Sequence, residues 1–149
     1  MTIALAMAAL RGGGRDIALD MLPYAHFLGL RADVDADEVR LVMPFDDRLI
    51  GAPGRLHGGA TAGLLELAGV VRLLVALGDE EVPPQLKPVT VTVDYLREGA
   101  ARATYASATL TRLGRRIANL HAVAWQIDRA RPIAAANLNI LLDRGAVVA

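Results

Sequence analysis

The stretch Leu56-His57-Gly58-Gly59-Ala60-Thr61-Ala62-Gly63-Leu64-Leu65-Glu66 decides how this chain of 149 residues is read. Two glycines open a long, almost wholly apolar run. From Ala60 to Leu77 its only charged residues are Glu66 and Arg72. Apolar side chains on every side predict a helix buried all round rather than one laid on a surface. A carboxylate inside such a run is costly unless something uses it. Its helical neighbours three and four positions away are Ala62, Gly63, Gly69 and Val70. Three of these are small, so another backbone or a ligand can approach the carboxylate. Arg72 stands six positions on and points elsewhere. The free N–H groups at the helix start offer a place for developing negative charge. An acid or base plus such a place is the minimum equipment for acyl transfer. On the helix alone, a Glu66 that merely reaches a rim or a partner chain is an equal reading.

Composition narrows the rest. The length suits one domain with a real core, and 54% hydrophobic residues suit burial of surface in an oligomer. Sixteen basic and sixteen acidic residues cancel, which gives no electrostatic case for nucleic acid or a membrane surface as partner. No cysteine is present, which excludes disulfides, thiolate nucleophiles and cysteine metal sites. His26, His57 and His121 fall in no metal-ligand spacing, so no metal is expected. Lys87 is the only lysine and stands beside Pro88 at a strand start, a poor position for Schiff-base chemistry. The apolar opening, Met1 to Leu10, has no basic lead and does not read as a signal peptide. Glu66, Arg72 and two internal glycines argue against a membrane-spanning reading of the long helix. A cytoplasmic protein is the expectation.

Along the chain, residues 1–15 read as a loose N-terminal segment ending in a glycine-rich hinge, and 16–149 as one domain. Asp16 to Leu28 reads as helix interrupted at Pro23, with Asp16 as cap. Alternation predicts a strand from Val39 to about Met43. Phe45 to Leu56 reads as a loop, and Gly78 to Pro84 as a connection. After that the period is two. Val89, Val91, Val93 and Tyr95 face one way, and Thr90, Thr92, Asp94 and Leu96 the other. Further strands are read over Ala101 to Arg112, Arg116 to Ile127, and Ile133 to Leu142. Four strands joined by short turns predict a meander of antiparallel neighbours. The expected fold class is α+β, a curved antiparallel sheet wrapped around one long buried helix. His121 and Trp125 share a strand face and read as core or subunit interface.

Buried helix, wrapping sheet, His57-Gly58-Gly59 and a carboxylate nine residues after the histidine together resemble the hotdog-fold acyl-CoA thioesterases. The phenylacetic-acid-degradation (PaaI-like) branch is the most similar. Gly54 three residues before His57, the strand Thr92-Val93-Asp94-Tyr95-Leu96-Arg97 and the turn Leu113-Gly114-Arg115-Arg116-Ile117 resemble that branch as well. The resemblance spans about Pro23 to Leu142. It implies hydrolysis of an acyl-CoA thioester, with Gly58 giving the oxyanion N–H and Glu66 acting as general base or nucleophile. It implies that His57 orients the loop and that Gly59 lets the helix start tightly beside the ligand. Carboxylate and glycine belong to opposite subunits in similar enzymes, so a homodimer, or a dimer of dimers forming a homotetramer, is implied. Coenzyme A enters only as part of the substrate, and no cofactor is called for.

Three guanidinium groups, Arg112, Arg115 and Arg116, flank Gly114, and Arg forks match phosphate. Alone they read as a solvated turn; beside the helix motif they read as contacts to the coenzyme A phosphates. Two positions depart from the family. Relatives often carry Asn or Gln six residues before the histidine, where this chain has Gly51. One branch has Thr four residues after its carboxylate, where this chain has Val70. Thr61, Thr90 and Thr92 are the hydroxyls available to fill that gap, Thr90 and Thr92 being counted with the substrate-binding residues. A serine hydrolase is excluded, since Ser107 is the only serine and lies mid-strand without a nucleophile-elbow motif. His57 followed by two glycines does not match the hotdog dehydratases, which follow their histidine with a proline-glycine turn. The remaining alternative is a hotdog protein that binds acyl-CoA without turnover.

Overall fold

The computed structural model describes residues 2–78 and 80–145. Its elements in chain order are α1 (Thr2–Leu10), β1 (Gly14–Ala18), α2 (Pro23–Leu28), β2 (Arg31–Asp35), β3 (Glu38–Met43), β4 (Ile50–Ala52), β5 (Arg55–Leu56), α3 (Gly58–Ala76), β6 (Gln85–Tyr95), β7 (Thr104–Leu113), β8 (Ile117–Trp125) and β9 (Ala134–Asp143). A 3-10 turn, Asp47–Leu49, precedes β4. Seven strands form one antiparallel sheet in the order β1-β2-β3-β7-β8-β9-β6, and β4 and β5 make a separate two-stranded hairpin. The sheet packs its inner face on α3. The long helix, the wrapping sheet and the α+β class are as expected.

α3 forms because it is Leu- and Ala-rich and is capped at both ends. His57 Nδ1 accepts the Gly59 N–H at its start, and the Leu77 N–H closes back on the Leu73 carbonyl at its end. Leu64, Leu65, Leu73, Leu74 and Val71 are fully buried against the sheet. Each such leucine contributes about 1.5–3 kcal/mol of burial. Gly69 lets the helix close on β9, because a Cβ there would stand 3.0 Å from Leu138 Cδ2. α3 is long and apolar enough to cross a membrane by composition, and most of it is buried inside the domain.

Several expectations are corrected. Residues 1–15 are not loose where described: α1 packs Ala6, Met7 and Leu10 into the same core as α3. Asp16 does not cap a helix but sits in β1 with φ of 54°, its N–H held by Asp33 Oδ1 at 2.8 Å. Pro23 does not interrupt a helix but begins α2, where its missing N–H is no loss. The four late strands are not a simple meander. β6 pairs with β9, the last strand, while β7 pairs with β3. The segment after β6 is a crossover rather than a hairpin turn: the Leu96 and Arg97 N–H groups both donate to the Ile133 carbonyl, and Gly99 O accepts from Leu56 N. The segment read as loop before α3 contains the β4–β5 hairpin, and β2 was not expected at all.

β1 is tied to β2 by charge as well as by its ladder. Asp33 accepts from Asp16 N and, at 2.6 Å, from Arg40 Nη2, and these bonds hold its carboxyl below the usual carboxylate range. A depressed folded-state value contributes stability above the ordinary carboxylate pKa that is lost as pH falls through it. Asp33→Asn is therefore expected to flatten the fall in unfolding free energy below about pH 4, and to cost about 1 kcal/mol at neutral pH. Urea unfolding at several pH values reads both.

Candidate active site

The start of α3 brings the signature residues together. His57 has extended backbone (φ −66°, ψ 131°), and its carbonyl accepts from both Ala60 N and Thr61 N. Its ring Nδ1 accepts from Gly59 N at 2.8 Å. An accepting Nδ1 places the ring proton of the neutral imidazole on Nε2. Of the first-turn N–H groups, those of Gly59, Ala60 and Thr61 are thus satisfied. The Gly58 N–H has no partner among the described residues. It sits at the positive end of a 19-residue helix. An open cleft of about 380 Å³ at this end is lined by Gly58, Thr61, Tyr95, Arg97 and Ile133 among others. Tyr95 Oη donates to Gly58 O at 2.9 Å.

Glu66 lies on the less buried stripe of α3 with Gly59, Ala62 and Val70. It is half-buried and takes no hydrogen bond or ion pair among the described residues. Eight residues of helix separate it from Gly58, an axial rise of about 12 Å. One thioester cannot touch both groups of the same protomer.

The arginine turn is at the other end of the molecule. Gly114 N donates to Ile117 O at 2.9 Å, and Leu142 N donates to Arg116 O at 2.7 Å, so the turn abuts the end of β9. A cleft of about 520 Å³ there is lined by Arg115, Arg116, Asp143 and Arg144. Asp143 is paired with Lys87 at 2.7 Å, which holds its carboxyl low, and Arg144 is paired with Glu80. Arg112, Arg115 and Arg116 form no ion pair among the described residues. Arg112 stands opposite Asn119, past a bulge in β7. The end of α3 lies on this side, since Glu80, whose N–H bonds to Leu77 O, pairs with Arg144; the start of α3 lies at the other end of β6, where Tyr95 meets Gly58.

Other residues read from the sequence fall elsewhere. Thr90 and Thr92 lie on the outer face of β6, since Val91 and Val93 pack inward and Tyr95 reaches Gly58. Neither is brought to the helix start. Thr61 is, being buried at the cleft. His121 is on the outer face, with Nδ1 2.9 Å from Asn137 Oδ1. Trp125 stacks on Tyr105 there, beneath Arg129. Tyr95 was not singled out as a site residue; its parity with Val91 and Val93 was the available signal.

Gly51 has a steric reason to lack a side chain. A Cβ at this position would stand 2.9 Å from His57 Cα, a backbone atom. Restoring the amide that relatives carry, Gly51→Asn, is expected to destabilise the fold by about 1–3 kcal/mol through overpacking, without raising activity. Denaturant unfolding and rate measurements on the variant check both halves.

A family model described as the acyl-CoA thioesterase N-terminal domain matches residues 49–140. A solved structure from Chromobacterium violaceum is similar over 86% of this chain and 88% of its own, at 31% identity and a TM-score of 0.67. A phenylacetic acid degradation-related protein from Ralstonia eutropha covers 81% of this chain and 90% of its own, at 20% identity and a TM-score of 0.68. A thioesterase-superfamily protein from Shewanella oneidensis does so over 81% and 87%, at 23% identity and a TM-score of 0.67. None of the curated proteins compared matches the chain. A helix that offers one free N–H at its start and one unpaired carboxylate along its open stripe, inside a sheet of this order, thus has its likeness among thioesterases: the chain belongs to the acyl-CoA thioesterase family and has the hotdog fold.

Proposed function

We propose that the protein hydrolyses acyl-CoA thioesters in a homodimer whose sites are shared between subunits. The observation that carries this is the Gly58 N–H at the helix start, which has no partner among the described residues, in a residue that lines a cleft. As water adds to the thioester carbonyl, the oxygen gains charge, and this N–H together with the helix dipole stabilises it. Glu66 removes the proton from the attacking water, or attacks directly to give a mixed anhydride that water then opens. The coenzyme A thiolate leaves. His57 shuttles no proton in this scheme; its acceptor nitrogen is occupied by Gly59.

The 12 Å rise between Gly58 and Glu66, about eight helix residues, supports taking the carboxylate from a second copy. β6 supplies the means. It is an edge strand of eleven residues, with one side of its backbone unpaired and Val89 and Tyr95 exposed. Such an edge is a template for pairing. A two-fold axis pairs β6 with its own copy in antiparallel sense and sets the two α3 helices antiparallel beside each other. For Glu66 of one subunit to reach Gly58 of the other, the axis passes level with Ala62, midway between them. Ala62 is small enough to let the helices close. The same axis carries the partner's arginine turn to the end of the molecule that holds Gly58, where Arg115 and Arg116 take the coenzyme A phosphates. Gly59 permits close approach of the ligand. Pairing of dimers into a tetramer is a further step of the same reading.

The test is free-thiol release across a panel of aryl and straight-chain acyl-CoAs, with the mass in solution measured alongside. Turnover by a dimer or tetramer supports the proposal; a strictly monomeric active protein sinks the shared site. Gly51, which leaves an amide position of relatives empty, favours one second reading, acyl-CoA binding without turnover. Saturable binding with no thiol release would establish it.

A further inference from the structure

The two groups that could swing at the helix start are both held, from opposite sides. The peptide unit joining Gly58 to Gly59 has its oxygen bonded by Tyr95 Oη at 2.9 Å and its N–H bonded to His57 Nδ1 at 2.8 Å. The Gly58 N–H itself lies in the preceding peptide, whose His57 oxygen accepts from Ala60 and Thr61 N–H; the two glycines that follow have the greatest backbone freedom any dipeptide can have, and the Tyr95 and His57 bonds narrow their φ/ψ pairs. An oxyanion donor works only when its N–H is aimed before the charge develops. We infer that Tyr95 is a positioning residue of the hydrolase: it acts through the Gly58–Gly59 peptide, fixing the direction of the free Gly58 N–H, with His57 as the opposite jaw.

Three observations make this a specific arrangement. Tyr95 comes from β6, 37 residues away in sequence, so the bond is tertiary and not part of ordinary helix capping. Its ring edge lies against the glycine, 3.4 Å from where a Gly58 Cβ would stand, so ring and hydroxyl both meet the start of α3. Gly59 is tight on the other side, since a Cβ there would be 2.9 Å from His57 Nδ1. A side chain at Gly59 would thus push the histidine off its bond. The strand that offers the pairing edge is also the strand that carries the clamp.

The inference rests on the hydrolytic reading of Gly58, and one experiment separates the two. Tyr95→Phe removes the hydroxyl and keeps the ring. Steady-state thiol release should show kcat reduced about tenfold with KM changed less than about threefold, one hydrogen bond's worth of transition-state aim being lost and substrate contacts being kept. The thermal midpoint should stay near that of the wild type. Backbone amide exchange, read by NMR without substrate, should quicken at Gly59 and leave the later turns of α3 unchanged. An active wild type with a Tyr95→Phe variant of equal kcat overturns the role of Tyr95 and leaves the hydrolytic reading standing. A kcat loss accompanied by faster exchange along all of α3 also overturns it, since the hydroxyl would then be holding the helix and not the peptide. A wild type that releases no thiol from any acyl-CoA sinks the hydrolytic reading, and the positioning role with it.

Discussion

Glu66→Gln is expected to lower thiol release by about 10²- to 10⁴-fold, the usual worth of a positioned general base, with no loss of thermal stability. Glutamine keeps the shape and the polarity of the side chain and removes only its capacity to take a proton. The structure gives no reason for the fold to suffer. Glu66 is half-buried on the open stripe of α3 and makes no ion pair or hydrogen bond among the described residues, so no structural bond is cut. In the dimer it would face a substrate, and that is where the loss would appear. The rate, KM and melting curve of the purified variant decide it. A fully active Glu66→Gln protein would leave the carboxylate with no role in the chemistry and overturn its assignment as base or nucleophile.

The parts of this molecule that the sequence displays are the local ones. α3 is legible because its nineteen residues carry only two charges and begin within a His-Gly-Gly start, and its burial follows from that composition alone. The place of His57, Gly58 and Gly59 at the start of that helix is legible for the same reason: it depends on neighbours one to four positions away. What is not legible depends on partners far along the chain. The β6–β9 and β3–β7 pairings skip over intervening strands, and nothing in the period-two pattern of Val89 to Tyr95 says which strand lies alongside. Asp16 looks like a helix cap because aspartate often is one; in the fold, Arg31 and Asp33 recruit it into a strand with positive φ. Pro23 reads as a break when it is a beginning. Tyr95 has no motif of its own and acquires its place only when β6 ends over the start of α3. The wide separation of the arginine turn from Gly58 is likewise a property of topology. The sequence shows both clusters, and the fold shows that they lie at opposite ends of one protomer.

Gly58→Pro offers the sharpest test of that shared site. Proline removes the one N–H proposed to hold the oxyanion. It does so at the first residue of the helix, where its fixed φ is suited and no intrahelical bond is lost. The residue before a proline must be extended, and His57 already is, with ψ of 131°. The Cβ meets the Tyr95 ring at 3.4 Å, a tight but not prohibitive contact. The variant should therefore fold and dimerise, with kcat reduced about 10²- to 10³-fold, as for loss of a single oxyanion donor. Mixing it with Glu66→Ala protein then reports on geometry directly. If both groups served the same subunit's site, every site in the mixture would still lack one of them, and the mixture would stay inactive. With glycine and carboxylate on opposite subunits, each mixed dimer holds one site with both groups intact and one with neither. Random exchange makes half the dimers mixed, so activity should return to about one quarter of the wild-type value. Recovery on that scale requires that Gly58 and Glu66 meet across the subunit boundary. No recovery from demonstrably mixed dimers would confine the chemistry to one protomer, and the 12 Å of helix between the two groups, about eight residues, would then separate them for good.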